Sequence, residues 1–304
     1  MKKKSHLTTI ILVLVLVFGL SLLLYPTISD QWNKRRSSQA IAVYEQALLD
    51  SGEDVRTQML QDAIDYNRSI APYGIRWKLD DAQRARYNDT LDPLHNGMFG
   101  YIEIERINCR LPVYHGTSEP VLQTGIGHIE GSSLPVGGES SHCLLSGHTG
   151  LPSARLFTDL SELTVGDRFR LCMLDAELTY EIDRINIVLP YELDLLRIEQ
   201  GEDLCTLITC TPYGINSHRL LVRGHRVEND AQSAVVRVSG DALPIDPLIV
   251  ALVTAVPVLL LTFTILLILD RRKRRSAALG KPAVNTATDD QPVVPTDSPK
   301  GGEP

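Results

Sequence analysis

Two long uncharged stretches and a series of short alternating ones divide this 304-residue chain. Residues 7–25 and 248–269 carry no charge over 19 and 22 positions. Each can cross a membrane as a helix, because about 20 apolar residues span the hydrocarbon core. After the first stretch, Ile41, Tyr44, Leu48 and Leu49, then Val55, Met59, Leu60 and Ile64, recur at helical spacing around a break at Asp50-Ser51-Gly52. This pattern predicts two amphipathic helices between residue 33 and about residue 70. Residues 71–96, rich in Pro, Gly, Asp and Asn, read as a long irregular segment. Beyond Met98 the period falls to two. Strands are predicted over 100–107, 110–114, 127–129, 143–146, 168–174, 178–188, 205–209 and 220–226, most of them closed by Gly, Pro or Asp. Helix is expected only over 153–163 and around 193–198. Eight short strands with so little helix between them predict a mainly β fold, a barrel or a sandwich.

Charge orients this arrangement. Arg271, Arg272, Lys273, Arg274 and Arg275 directly follow the second apolar stretch and should stay cytoplasmic. The middle domain is then outside and both termini are inside. Lys2, Lys3 and Lys4 precede the first stretch, which could serve as a secretory signal. The run is longer than the usual apolar core of such a signal, and no small-x-small site follows at Tyr25-Pro26-Thr27, so an uncleaved anchor is expected. Residues 7–269 hold 20 Lys and Arg against 32 Asp and Glu, a balance of −12 that argues against nucleic acid as a partner. Five cysteines, an odd number, leave at least one thiol unpaired within an exported chain.

One thiol stands out by position. Cys210 ends the apolar run Thr206-Leu207-Ile208-Thr209 and is followed by Thr211-Pro212-Tyr213-Gly214, so it should sit exposed at the mouth of a strand. Arg219 opens the next apolar run, and if the two strands pair, the two residues can face each other across the open end. His148 lies between Gly147 and Gly150 just beyond another strand, where glycine lets the chain turn and leaves the ring uncovered. A thiol, an imidazole and a guanidinium are what acyl transfer by cysteine requires: a nucleophile, a proton carrier and a stabiliser of the oxyanion. Cys109, Cys143, Cys172 and Cys205 fall within apolar strand patterns, where a free thiol behaves as a small hydrophobe. Neither CxxC nor HxxxH spacing occurs, so no zinc site, and no other cofactor, is expected.

The string Thr206-Leu-Ile-Thr-Cys210 matches the sortase signature TLxTC, and Ser146-Gly-His-Thr-Gly150 resembles that family's histidine loop. The stretches 111–117, 127–138, 151–160 and 211–225 are similar to class C, the pilin-polymerising sortases. This resemblance, dense over residues 100–227, implies a closed eight-stranded sortase-type barrel with N-terminal helices, flanked by two transmembrane helices. It implies that Cys210 attacks the Thr–Gly bond of an LPXTG-like sorting signal and forms a thioacyl intermediate, which a lysine amine of another pilin resolves. His148 would be the acid/base residue and Arg219 the stabiliser of oxyanion and substrate. Class C members also carry a lid built on an Asp-Pro-aromatic motif. Asp92-Pro93-Leu94 stands in the corresponding place, with Leu94 departing from the aromatic and an Asp92–Arg219 ion pair as its expected lock. The lesser alternative for Asp92-Pro93 is a plain turn.

The expected organisation is therefore a cytoplasmic tail at 1–6, a transmembrane helix at 7–26, helices and lid at 27–98 and a catalytic barrel at 99–228. A linker at 229–246, a second transmembrane helix at 247–269 and a basic, then disordered, cytoplasmic tail at 270–304 complete it. Partners implied are LPXTG-bearing pilins or surface proteins, with a pilin lysine or a cell-wall precursor amine as acceptor. Three rivals remain: a housekeeping-type sortase that anchors proteins to the wall, a hydrolytic cysteine peptidase, and a wall-anchored pilin. The last is disfavoured, because Asp246-Pro247 stands where a sorting signal needs Thr-Gly and nearly 30 residues follow the basic cluster.

Overall fold

The structure, a computed structural model, describes residues 3–229 together with Thr264 and Ile268. Apart from Asn229, Thr264 and Ile268, the predicted linker, second transmembrane helix and cytoplasmic tail lie outside the described residues.

Helix α1 (Lys3–Asp50) is continuous from the first apolar stretch to the predicted break. The anchor and the first amphipathic helix, expected as separate elements around residue 26, are thus one helix, with Pro26 inside it. Leu14, Leu16, Phe18, Leu22 and Leu23 are exposed. Among the described residues α1 is the one helix long and apolar enough to cross a membrane. Its C-terminal half is held by the barrel: Ile41, Tyr44 and Leu48 are buried, and the Tyr44 hydroxyl donates to Phe99 O and accepts from Leu174 N, each at 2.8 Å. Helix α2 (Glu53–Ile70) docks through Asn67, whose amide side chain donates to Leu134 O and accepts from Leu134 N.

The segment expected to be irregular contains a third helix, α3 (Asp81–Asp89). It starts at a capping box in which Asp80 accepts from Gln83 N while the Gln83 side chain accepts from Asp80 N. These reciprocal bonds satisfy amides that a helix start leaves unpaired. Buried Tyr87 then fixes the helix to the barrel through His128 Nδ1 at 2.9 Å and Gly116 N at 3.0 Å.

All eight predicted strands form. They are β1 (Met98–Ile104), β2 (Cys109–His115), β3 (Ile126–His128), β4 (Ser141–Ser146), β5 (Arg168–Met173), β6 (Ala176–Val188), β7 (Asp203–Thr211) and β8 (His218–Val227). They close into a barrel in the order β1-β2-β3-β4-β7-β8-β6-β5. The pairs β2–β3 and β4–β7 are parallel and the rest antiparallel. A short helix, α4 (Glu119–Leu122), lies in the β2–β3 crossover. The two helices expected near 158 and 195 are only the short 3-10 segments Thr158–Glu162 and Asp194–Leu196. Leu160 within the first and Phe157 and Leu163 at its two ends are buried at a spacing of three, which a 3-10 turn places on one side. The core is Ile102, Ile104, Val113, Ile126, Leu145, Leu171, Leu207 and Val222, with Phe169 and Tyr180 stacked at 5.4 Å.

Candidate active site

Strand β7 is buried without interruption from Leu204 to Thr209, and Cys210 is the first residue to emerge. The register opposes Cys210 to Arg219 on β8. On its other side β7 runs parallel to β4, with Ser146 opposite Ile208. Continued two residues, that register brings His148 level with Cys210. Three neighbouring strands thus deliver imidazole, thiol and guanidinium to one end of the barrel from positions 148, 210 and 219.

Local contacts hold the His148 loop in this register. Gly147 N donates to Ile208 O at 3.0 Å, and the Thr209 hydroxyl donates to Gly147 O at 2.8 Å. No side chain fits at 147, because a Cβ there would lie 2.6 Å from Ile126 and 2.7 Å from the Phe157 ring. Gly150 turns at φ +73° with the Tyr213 ring against it, where a Cβ would lie 2.9 Å from that ring. His148 O accepts from Phe157 N. The helix α1 reaches the same loop, Asn33 Nδ2 donating to Ser153 O and Asp30 Oδ1 accepting from Arg155 N.

Arg219 Nη1 donates to the carbonyl oxygens of Asn216 and His218, at 3.2 and 3.0 Å, and among the described residues no carboxylate pairs with it. Four residues along the same strand, Arg223 donates to Asp183 and to Glu199 Oε1 and is neutralised. Of the two arginines, Arg219 therefore presents its positive charge at the barrel end. His218 is engaged by the Ser217 hydroxyl at 2.9 Å. His148 Nε2 is buried without a hydrogen bond and lies 3.7 Å from Glu119 Oε2, a residue of α4 that the sequence reading did not single out. No spacing signal could have marked Glu119, since only the β2–β3 crossover brings it to the His148 loop.

The candidate lid residues are elsewhere engaged. Asp92 Oδ1 accepts from Asn96 N and Gly97 N, both at 3.0 Å, and no ion pair joins it to Arg219. The turn is bound to the end of β2: His115 N donates to Gly97 O, and the His115 ring nitrogens lie 3.1 and 2.8 Å from Gly97 O and Thr90 O. Pro93 takes part in that turn, and Leu94 packs on the core cluster.

The other four cysteines are free thiols in or beside the core. Burial pushes Cys109 and Cys172 up to about 12 and Cys205 well above the ordinary range. Among the described residues no group of three or more His, Cys, Asp or Glu could hold a metal ion.

A sortase-domain family model matches residues 102–227. Sortase D of Bacillus subtilis is 30% identical over 151 residues, which are 49% of this chain and 73% of that protein. The chain belongs to the sortase family. Sortases are cysteine transpeptidases, and this chain is one of them. Among solved structures, sortase C1 from Streptococcus agalactiae is similar with 49% identity and a TM-score of 0.62, covering 63% of this chain and all of that one. The sortase C of Streptococcus pneumoniae is 38% identical with a TM-score of 0.55, over 63% of this chain and 97% of that one. Both are class C enzymes, in agreement with the resemblance seen along residues 100–227.

Proposed function

We propose that this sortase joins LPXTG-like sorting signals to a lysine amine of a pilin, with Cys210 as nucleophile, His148 as acid/base and Arg219 as oxyanion and substrate stabiliser. The observation that carries the reading is the strand register: Cys210 faces Arg219 directly, and the parallel β4–β7 pairing leads His148 to the same level. The Cys210 thiolate attacks the threonine carbonyl carbon, and the oxyanion forms beside a guanidinium that no carboxylate among the described residues neutralises. Such a fixed charge stabilises the transition state more than the neutral carbonyl. The C–N bond to glycine breaks as His148 passes a proton to the departing amine. The incoming amine gives a proton to His148, attacks the thioester and releases the thiolate. One amide is exchanged for another, with no oxidant or metal in the balance.

Three observations support the finer points. Sortases act on LPXTG-type surface proteins. The pneumococcal sortase C was described in terms of pilin substrate specificity. Helix α1 is long and apolar enough to anchor the chain, and the basic cluster 271–275 favours cytoplasmic termini with the barrel outside.

The test uses the full chain in membranes, an LPXTG peptide and two amine donors, a lysine-bearing pilin and a cell-wall precursor amine. Ligation to the pilin lysine, abolished in Cys210→Ala, is expected. Ligation to the wall amine alone would move the enzyme to the anchoring role, and hydrolysis without ligation to either donor would overturn the reading.

A further inference from the structure

His148 is flanked by a carboxylate that the reaction as written does not use. Glu119 lies in the first turn of α4, 3.7 Å from His148 Nε2 by its Oε2, while its other oxygen, Oε1, accepts from Gln123 Nε2 at 2.6 Å. Nε2 is buried and makes no hydrogen bond among the described residues. A buried ring nitrogen with no partner carries an unmet cost, and a carboxylate just beyond hydrogen-bond reach can meet it by a side-chain movement of less than 1 Å. Catalytic contacts are often long in the free enzyme and tighten with substrate. Among the described residues the other carboxylates around the loop are engaged, Asp30 with Arg155 N and Lys34, and Asp159 with the Arg155 guanidinium. Cys210 and Arg219 stand on the strands beside the loop. Glu119 is thus the carboxylate that faces the ring.

We infer that Glu119, held by Gln123, is a positioning residue for the acid/base histidine. It fixes the ring through Nε2 and leaves Nδ1 for proton exchange with the departing and incoming amines. A carboxylate in this place gives the Nε2 proton a fixed acceptor and so holds one ring orientation. The inference rests on the assignment of His148 as acid/base. It adds to that assignment a carboxylate–imidazole–thiol order in which each group orients the next.

The experiment compares pH profiles of kcat/KM for the full-length wild type, Glu119→Gln, Glu119→Asp and His148→Ala. Glu119 is largely exposed, with 68% of its side-chain surface accessible, so thermal melts of the Glu119 variants should match the wild type. Glu119→Gln should lower kcat/KM by about 5-fold near the optimum, the scale of a half-exposed ion pair. It should also displace the alkaline limb of the profile, with KM unchanged. Glu119→Asp, which keeps the charge, should leave the limb in place. Superimposable profiles for Glu119→Gln and wild type would overturn the inference, as would a rise in KM alone with kcat intact, which would make Glu119 a substrate contact. If His148→Ala remains active, the acid/base assignment fails, and the inference fails with it by a separate readout.

Discussion

The barrel contains thiols and imidazoles in two settings, one at its rim and one in its interior. At the rim, half-buried Cys210 stands beside an arginine that has no carboxylate partner among the described residues, and level with a histidine whose Nε2 has no hydrogen bond among them. Within the wall, Cys143 and Cys205 face each other on the same two strands, β4 and β7, and both are buried. Near them, His128 contacts the Tyr87 hydroxyl and Ser133 O, and His142 contacts Arg197 O and the Thr206 hydroxyl. The residue types are the same, but the interior groups have all their partners within the fold and no solvent. Five residues along β7 separate a thiol enclosed by the core from one that emerges at the barrel end. Access and an uncommitted positive charge make that difference.

The sharpest test of the contrast is at the thiols. Cys210→Ala should lose at least about 10³-fold in transpeptidation with its melting curve unchanged. Cys205→Ser should keep its rate and lose about 1–3 kcal/mol in urea unfolding, because a hydroxyl costs more to bury than a thiol and the facing Cys143 is a weak partner for it. A Cys210 variant that retained turnover, or a Cys205 variant that lost it at full stability, would break the comparison.

The two arginines of β8 provide the next test. Arg219→Ala should lower kcat/KM by about 10²-fold without a change in stability. Arg223→Ala should leave kcat/KM within about 2-fold and cost about 2 kcal/mol, since Asp183 and Glu199 lose their shared partner. Kinetics and chemical denaturation of the two variants, run side by side, show whether the roles separate in this way.

Interior histidine should appear in the pH dependence of stability. Burial lowers His142 from 6.5 to about 4, against a smaller opposing effect of its bond to Arg197 O. Between these values the unfolded chain holds a proton that the folded barrel excludes. Stability is therefore full above about pH 6.5 and should fall by about 1–3 kcal/mol as pH drops toward 4. Denaturation midpoints at pH 7 and 4.5 measure this, and His142→Gln should flatten the difference. An unchanged slope in that variant would assign the acid sensitivity to other groups, with His115, also lowered by burial, the first to examine.

The smallest effect is expected at the Asp92 turn, which lies outside both settings. Removal of a carboxylate that caps two amides should cost about 0.5–1 kcal/mol in Asp92→Ala and change kcat/KM by less than about 2-fold. A tenfold gain in rate would instead mean that the segment covers Cys210 in the resting enzyme.

Local chemistry explains what could be read without coordinates. Alternation of apolar and polar residues, closed by Gly, Pro and Asp, marks a strand wherever it will later pair, and all eight strands were legible for that reason. The strand-mouth positions of Cys210, His148 and Arg219 were legible because each sits in a recognisable string. Helix α3 was missed although its Asp80-x-x-Gln83 capping box was present, since one buried residue, Tyr87, gives no apolar period. The continuity of α1 through Pro26 and the reduction of two helices to 3-10 segments also depended on packing that no window of sequence contains.

The sequence by itself determined which residues form strands, which stretch can anchor the chain, and which thiol is left at an open end, because these depend on neighbours a few positions away. Tertiary structure decided which strands pair. The parallel alignment of β4 with β7 brings residue 148 level with residue 210, and the β2–β3 crossover sets Glu119 beside His148. It also decided that Asp92 caps its own turn and that Arg223 is neutralised while Arg219 is not. Pairing is chosen by burial over the whole barrel, and so it is written in no single segment of the chain.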